Sequence, residues 1–420
     1  MSASFDSDVN ITVEIAFDSD PLDNSLTFTD VSQYVRAFTI NRGRSNELGQ
    51  FVAGTSTISL SNTDNRFNPT QTTHYYDASA GRTKLQQLNV VRIKATYDSA
   101  SYTLFHGHLD VIPVQYIAQG NDSIVTFTAV DSFKIFQSQT LQSVGWSLGL
   151  TGFSEIGSST TLGYDDSVEL TSTRVTRILN SMGFPSSFRS IDTGTLNIQQ
   201  QPATTNILTA LQECETVENA QLFIAKDGKV TFRNRAYKFT NTKAINVQAT
   251  FDNSGSNLPY QEVATSLDTN EVINNYTWTR NGGTQQKVAD ADSINRFTAK
   301  NNTQTTKHTS DANVLSVIQQ KLAETSTPQL RIDQLIVNPR VSTSLWSSVL
   351  GLEFGDRVKV NITNPNGSVL TDEVFIESIS HNVNAFAQQW VWTINLSPAG
   401  SSGWVLGQAK LGEGTRFAYA

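Results

Sequence analysis

Ile11, Val13, Ile15 and Phe17 alternate with Thr12, Glu14 and Ala16, a period of two that predicts a half-buried strand. Ile58 and Leu60 repeat the pattern against Thr57 and Ser59. The run Asn62 to Pro69 then breaks it with turn formers. Further strands are expected at residues 90–97, 103–111 and 123–130, so the first 135 or so residues suggest a barrel or sandwich of short strands.

The period changes in the middle of the chain. Val175, Ile178, Leu179 and Met182 fall at helical spacing, with Ser172 placed to cap the start, Gly183 to end the helix left-handed and Pro185 to stop it. Ile207, Ala210, Leu211 and Cys214 mark a second helix. Residues 221–225 and 230–235 flank Asp227-Gly228, the preferred pair for a type I′ hairpin turn. Strands resume at 272–280, a helix capped by Ser310 carries Leu315, Ile318 and Leu322, and strands follow at 330–337, 357–362, 373–382 and 390–396. The segment Arg92 to Ala129 resembles Arg357 to Asn395 in order and spacing, which suggests two related barrels in one chain.

The expected architecture is therefore mainly β (α+β). It has a first β-barrel domain at 1–137, a Gly/Ser/Thr-rich connector at 138–170 and a small α+β domain at 171–245. A second β-barrel domain with one helix follows at 246–399, then a C-terminal arm at 400–420. A chain of 420 residues needs more than one core. Charged residues are only 16%, and Ser, Thr, Asn and Gln take their place, a composition suited to exposed strand faces and polar interfaces. The net charge of −8 argues against stable nucleic-acid binding, while an acidic or neutral polar surface would let DNA slide past. Cys214 is the sole cysteine, so no intramolecular disulfide or cysteine zinc cluster is possible. Met1 to Phe17 shows no signal-peptide pattern, and no apolar run is long enough to anchor the chain in a membrane.

Candidate chemistry is thin. His106, His108 and Asp110 alternate and would share one strand face, a donor set that could hold a metal. No fourth ligand is visible, and an exposed strand face beside Gly107 is the favoured reading. Glu213, Glu215 and Glu218 cluster near a helix end. A glycosidase needs two carboxylates across a cleft, but a solvated helix face explains them better. Trp390 and Trp392 could stack on sugars, though alternate strand aromatics more often belong to a core or interface. Cys214 fits a small core residue, and His74, His308 and His381 are isolated. No nucleophile elbow or phosphate loop appears. No catalytic, cofactor or metal residue is assigned.

Two stretches carry a resemblance. One runs from Asp30-Val31-Ser32-Gln33-Tyr34-Val35-Arg36 through Arg42-Gly43-Arg44-Ser45-Asn46-Glu47-Leu48 and Phe51 to Thr55, then Leu60 to Pro69. The other runs from Trp346 to Val358 and on to His381 and Ser397-Pro398-Ala399, with a terminus containing Trp404-Val405-Leu406-Gly407. Together they resemble the minor tail, or tail hub, proteins of tailed phages. In the first stretch Gly43 and Gly54 are expected at tight turns. The resemblance implies a baseplate-hub fold of two tube-type barrels, assembled as a homotrimer that adapts a sixfold tube to a threefold tip. It also implies partners in the tail tube or distal tail ring, a downstream fibre or spike protein, and transient passage of DNA through a channel. Lumenal positions should then carry Asp, Glu, Ser, Thr, Asn or Gln rather than Lys or Arg. Trp404, Phe417 and Tyr419 of the arm are expected to contact a neighbouring chain. A hexameric distal-tail-type ring and a carbohydrate-binding or hydrolytic tail-tip protein are the alternatives.

Overall fold

The computed structural model describes residues 4–5, 9–113, 123–141, 161–162, 169–202, 205–267, 271–327 and 331–399. The N-terminal part contributes β1 (Val9–Ala16), β2 (Thr29–Asp30), β3 (Val35–Gly43), β4 (Val52–Ser61), β5 (Val90–Tyr97), β6 (Ala100–Val111) and β7 (Ile124–Val130), followed by the short helix α1 (Phe133–Gln137). The middle holds α2 (Thr171–Ser181), β8 (Arg189–Ile191), α3 (Ile207–Glu218), β9 (Gln221–Ile224) and β10 (Val230–Arg233). Next come β11 (Ala249–Asp252), β12 (Leu258–Pro259), β13 (Glu262–Ser266), β14 (Asn275–Arg280), β15 (Gln285–Ala289), β16 (Asn301–Thr306) and α4 (Asp311–Thr325). The chain continues through β17 (Arg331–Val337), α5 (Leu345–Gly351), β18 (Arg357–Thr363), β19 (Val369–Asn384) and β20 (Gln389–Pro398).

Among the described residues, fifteen strands form one sheet. Its main path runs from the two-residue strand Ser4–Phe5 through β1-β5-β6-β7-β4-β3-β19-β18-β11-β12, with β2 beside β1 and with β20, β17 and β13 branching from β19. The mainly β character matches the expectation, but the two halves are not separate closed barrels. The 16-residue β19 joins them. Its first half pairs with β18, and its second half pairs with β3 on one side and β20 on the other. No described pair closes the path between β2 and β3, where a 3-10 turn at Ser32–Tyr34 spans the gap instead. The two similar segments each fold as a three-stranded antiparallel meander, β5-β6-β7 and β18-β19-β20.

Alternation decides which face of each strand is buried. Ile11, Val13, Ile15, Phe38, Ile58, Phe127 and Trp390 fill one core, which also takes Trp346 and Leu350 from α5. Phe251, Leu335, Val358, Ile376 and Trp392 fill another. The helices α2 and α3 enclose a third around Ile178, Leu211, Cys214 and Phe232. The sheet β15-β14-β16 packs Tyr276 and Trp278 on Val314, Val317 and Ile318 of α4, whose start is capped by Ser310 as expected.

Four local expectations are corrected. Ser172 does not cap α2; the helix begins at Thr171, and the Ser172 hydroxyl accepts from Gly194 N–H at 2.9 Å. The Asp227-Gly228 turn is not type I′, because Gly228 alone has positive φ (+87°) there. Gly228 N–H donates to Ala225 O at 2.9 Å, closing a type I turn that the left-handed glycine completes. Gly43 and Gly54 lie in strands rather than turns. At Gly43 (φ +112°) an added Cβ would stand 2.3 Å from Glu377 O, so glycine is what lets β3 approach β19.

Candidate functional site

The most extended feature is an uncharged polar face on the central sheet, built by alternation that bulges interrupt at Val35/Ala37 and Ile376/Ser378. Inward positions of β7, β4, β3, β19, β20 and β17 are mostly apolar, with Ser56, Arg42 and His381 as buried exceptions, and the opposite positions carry mainly short polar side chains, interrupted by Ala37, Val391 and Ile336. One cross-strand row reads Thr128, Thr57, Thr39, Asn382 and Val391. The next reads Thr126, Ser59, Ala37, Asn384 and Gln389. A third reads Thr55, Asn41, Ser380, Thr393 and Ile336, and meets its first ionisable group at Glu262 on the marginal strand β13. Six strands about 4.8 Å apart make this face about 24 Å wide.

The side chains tie to one another across strands. Thr39 and Thr57 hydroxyls lie 2.6 Å apart, Ser59 and Thr126 hydroxyls 3.0 Å apart, and Gln334 Nε2 donates to Asn395 Oδ1 at 3.0 Å. Such pairs stiffen the sheet without placing a net charge on it. The face crosses the β3–β19 junction and so belongs to both halves of the chain.

Behind that junction the charge is buried and paired. Arg42 meets Glu353, Arg44 meets Glu377 at 2.6 Å, and Lys226 Nζ donates to the carbonyls of Leu350 and Gly351 at the end of α5. Burial alone would raise the Glu353 carboxyl, but Arg42 and Lys226 beside it bring it below the ordinary value. Asp131 accepts from Gly54 and Phe133 N–H, yet burial pushes it up to about 7. A polar cleft of about 280 Å³ lies between the loop after β3, the end of α3 and helix α4, and is lined by Arg44, Glu215, Tyr276, Lys321 and Glu324.

The residues singled out for chemistry do not converge. His108 Nε2 lies 3.0 Å from Pro21 O, Asp110 pairs with Lys134 at 3.1 Å, and His106 packs against Phe188 and Gly228. His108 and Gly107 are buried, so this is not the exposed strand face expected, and burial lowers both imidazoles, His106 to about 4. The solvated helix face fails for two of the three glutamates. Glu218 is fully buried and accepts from the Thr171 hydroxyl at 2.7 Å, Thr195 N–H at 2.8 Å and Leu196 N–H at 2.9 Å. Its carboxylate thus holds the start of α2, where the helix dipole favours negative charge. Glu215 is buried, accepts from Leu222 N–H at 2.9 Å and is pushed up to about 7 by burial.

Trp390 and Trp392 are core residues rather than a sugar platform. Trp390 packs 5.0 Å from Trp346 and donates to His381 Nδ1 at 3.1 Å, and Trp392 stands beside Phe251. Cys214 is buried in the helical core as expected. Trp404, Phe417 and Tyr419 lie outside the described residues. The sequence reading missed β3 as a strand, and with it the continuity of the polar face. The alternation Thr39, Asn41 against Phe38, Ile40 was the available signal.

No family model and no curated protein matches this sequence. Solved structures do. A tail protein from Neisseria meningitidis superposes with a TM-score of 0.55 at 10% identity, covering 92% of this chain and 96% of that one. The 43 kDa tail protein of prophage MuSo2 from Shewanella oneidensis gives 0.51 at 11% identity, covering 93% and 98%. A chain of the Francisella PdpA–VgrG complex gives 0.51 at 9% identity, covering 94% of this chain and 58% of its own length. With nearly the full length of both chains superposed, this chain has the fold of these tail proteins.

Proposed function

We propose that the chain is a structural, non-catalytic component of a phage tail, the hub at the distal end of the tail tube, and that it works as a homotrimer. The observation that carries this reading is the uncharged polar face shared by both β-rich halves, on a fold common to tail proteins along nearly its whole length. Three chains, each with two β-rich halves, offer six similar surfaces, which suits a threefold tip seated on a sixfold tube. The polar face lines the channel. Thr, Ser, Asn and Gln present hydrogen-bonding groups but no cation to hold phosphate, so DNA passes without being retained. Trp404, Phe417 and Tyr419 of the C-terminal arm contact a neighbouring chain or tail protein.

Light scattering on the purified chain, together with imaging of intact tail tips, tests the assembly. Three copies per ring at the tube end are expected. A stable monomer both in solution and in isolated particles would sink the hub reading, and six copies would favour a distal-tail-type ring.

A further inference from the structure

The sequence holds two Asn-Gly pairs, Asn281-Gly282 and Asn366-Gly367. Each sits in a hairpin connection, the first between β14 and β15, the second between β18 and β19. Both asparagines are exposed, and nothing stands within 4 Å of a Cβ added at either glycine. Sequence, exposure and free space do not tell the two pairs apart. Their places in the turn do.

In the first turn Gly283 N–H donates to Arg280 O at 3.0 Å, so Asn281 and Gly282 are the two central residues. Gly282 has φ +69°, as the third residue of a type II turn requires. Its N–H is not the one that closes the turn, and it meets no acceptor among the described residues. The Asn281 carboxamide also has no hydrogen-bond partner among them. The Asn281 carbonyl oxygen accepts from Gln199 Nε2 at 3.0 Å and from Arg280 Nη1 at 3.3 Å. Donors on that oxygen, one of them a guanidinium, favour the amide anion left when the Gly282 nitrogen loses its proton.

In the second turn the same dipeptide stands one place further along. Gly367 is the fourth residue, and its N–H closes the turn on Asn364 O at 2.8 Å. Asn366 Oδ1 accepts from Ser368 N–H at 2.9 Å and from Ser368 Oγ at 2.6 Å, which holds the carboxamide.

We infer that Asn281 is a site of spontaneous deamidation in the folded chain, and that Asn366 is protected from it. The Gly282 nitrogen gives up its proton and attacks Asn281 Cγ. A new C–N bond forms, the carboxamide C–N bond breaks, and ammonia leaves with the proton. Water then opens the resulting five-membered imide. Attack at Cγ gives aspartate, and attack at the backbone carbonyl gives isoaspartate, in which the main chain runs on through the side-chain carbon. Either product adds one negative charge beside Arg280, and isoaspartate also lengthens the turn by one methylene. Water is the only co-reactant, and the inference does not depend on the place of the chain in a tail.

Peptide mapping by mass spectrometry tests it, on the full-length chain aged in native buffer and, in parallel, in urea. In urea both pairs should convert at similar rates, because the dipeptide is the same. In the native chain Asn281 should convert roughly tenfold or more faster than Asn366, since three hydrogen bonds hold the reacting groups at the second site and none does at the first. Asn281→Gln, which would have to close a six-membered ring, should remain an amide over the same period. Equal native rates, faster conversion at Asn366, or an unchanged Asn281 in native buffer over the time in which the urea sample converts would each overturn the inference.

Discussion

Arg42 Nη2 lies 2.8 Å from Glu353 Oε1 and 3.0 Å from Oε2, joining two side chains 311 positions apart where the halves of the sheet meet. Glu353 also accepts from Lys226 N–H at 2.9 Å, so one carboxylate ties β3, the β9–β10 hairpin and the end of α5. Removing one partner of a buried pair leaves an uncompensated charge. Glu353→Ala is expected to cost about 3–5 kcal/mol in chemical denaturation. The apolar double variant Arg42→Met/Glu353→Leu should recover part of that loss, since it removes the stranded guanidinium while Lys226 still loses its carboxylate and its N–H acceptor. A double variant as unstable as Glu353→Ala would show that shape, not charge pairing, sets the junction.

The buried ionisable groups set the pH dependence, in opposing directions. Burial lowers His106 and His308 to about 4 and His381 to about 3, from an ordinary 6.5. Below pH 6.5 the unfolded chain takes up protons that these imidazoles refuse in the fold, so stability falls as pH drops toward 4. Asp131 and Glu215, raised to about 7, act the other way. Their contribution is fully present below pH 4 and is lost as pH rises through 7. The melting temperature should therefore be flat near pH 7 and fall between pH 6.5 and 4. Asp131→Asn should make that fall steeper, because it removes a term that grows on acidification. Melting curves at pH 7.5 and 5.5 check this, and a shallower fall in the variant would contradict the assignment.

Gly43 provides a test of the junction itself. A methyl group there would meet Glu377 O at 2.3 Å and Ser378 Cα at 2.5 Å, both backbone atoms that cannot step aside. Gly43→Ala should cost about 3 kcal/mol, combining positive-φ strain with overpacking. Gly255 makes the control: its φ is +85° but nothing lies within 4 Å of an added Cβ, so Gly255→Ala should cost only about 1 kcal/mol. Equal losses in urea denaturation would mean that the approach of β3 to β19 carries no special constraint.

How much of this was legible follows from how local each signal is. Period-two alternation placed β1, β4, β5 and β7 closely, because one buried face writes itself directly into the sequence. The pairing of β3 with β19 left no local trace, since its partners are more than 330 positions apart and either strand is equally plausible alone. Glu218 illustrates a different loss. A helical glutamate near other glutamates resembles a solvated face, and only the return of residues 194–196 supplies the donors that make its burial tolerable. The outward polarity of Thr57, Ser59, Thr126 and Thr128 was readable strand by strand. That they form one face with Thr39 and Asn382 was not.

That face yields the most direct functional test. Asn382 is exposed in the middle of the polar rows, beside Thr39 and Val391. A single lysine there should change the stability of the isolated chain by no more than about 0.5 kcal/mol, because the side chain projects away from the core. In a channel its effect would be larger. Each copy adds one cation within about a Debye length, roughly 8 Å at physiological salt, of a passing duplex. Phosphate neutralisation with counterion release then favours the bound strand, so Asn382→Lys particles should release DNA more slowly, most visibly at low salt. Asn382→Asp is the control of opposite sign: it perturbs the same position equally but repels phosphate, and release should match the native particle. If Lys and Asp variants are incorporated equally and release DNA at the same rate, this face does not line the path of the DNA, whatever the place of the chain in the tail.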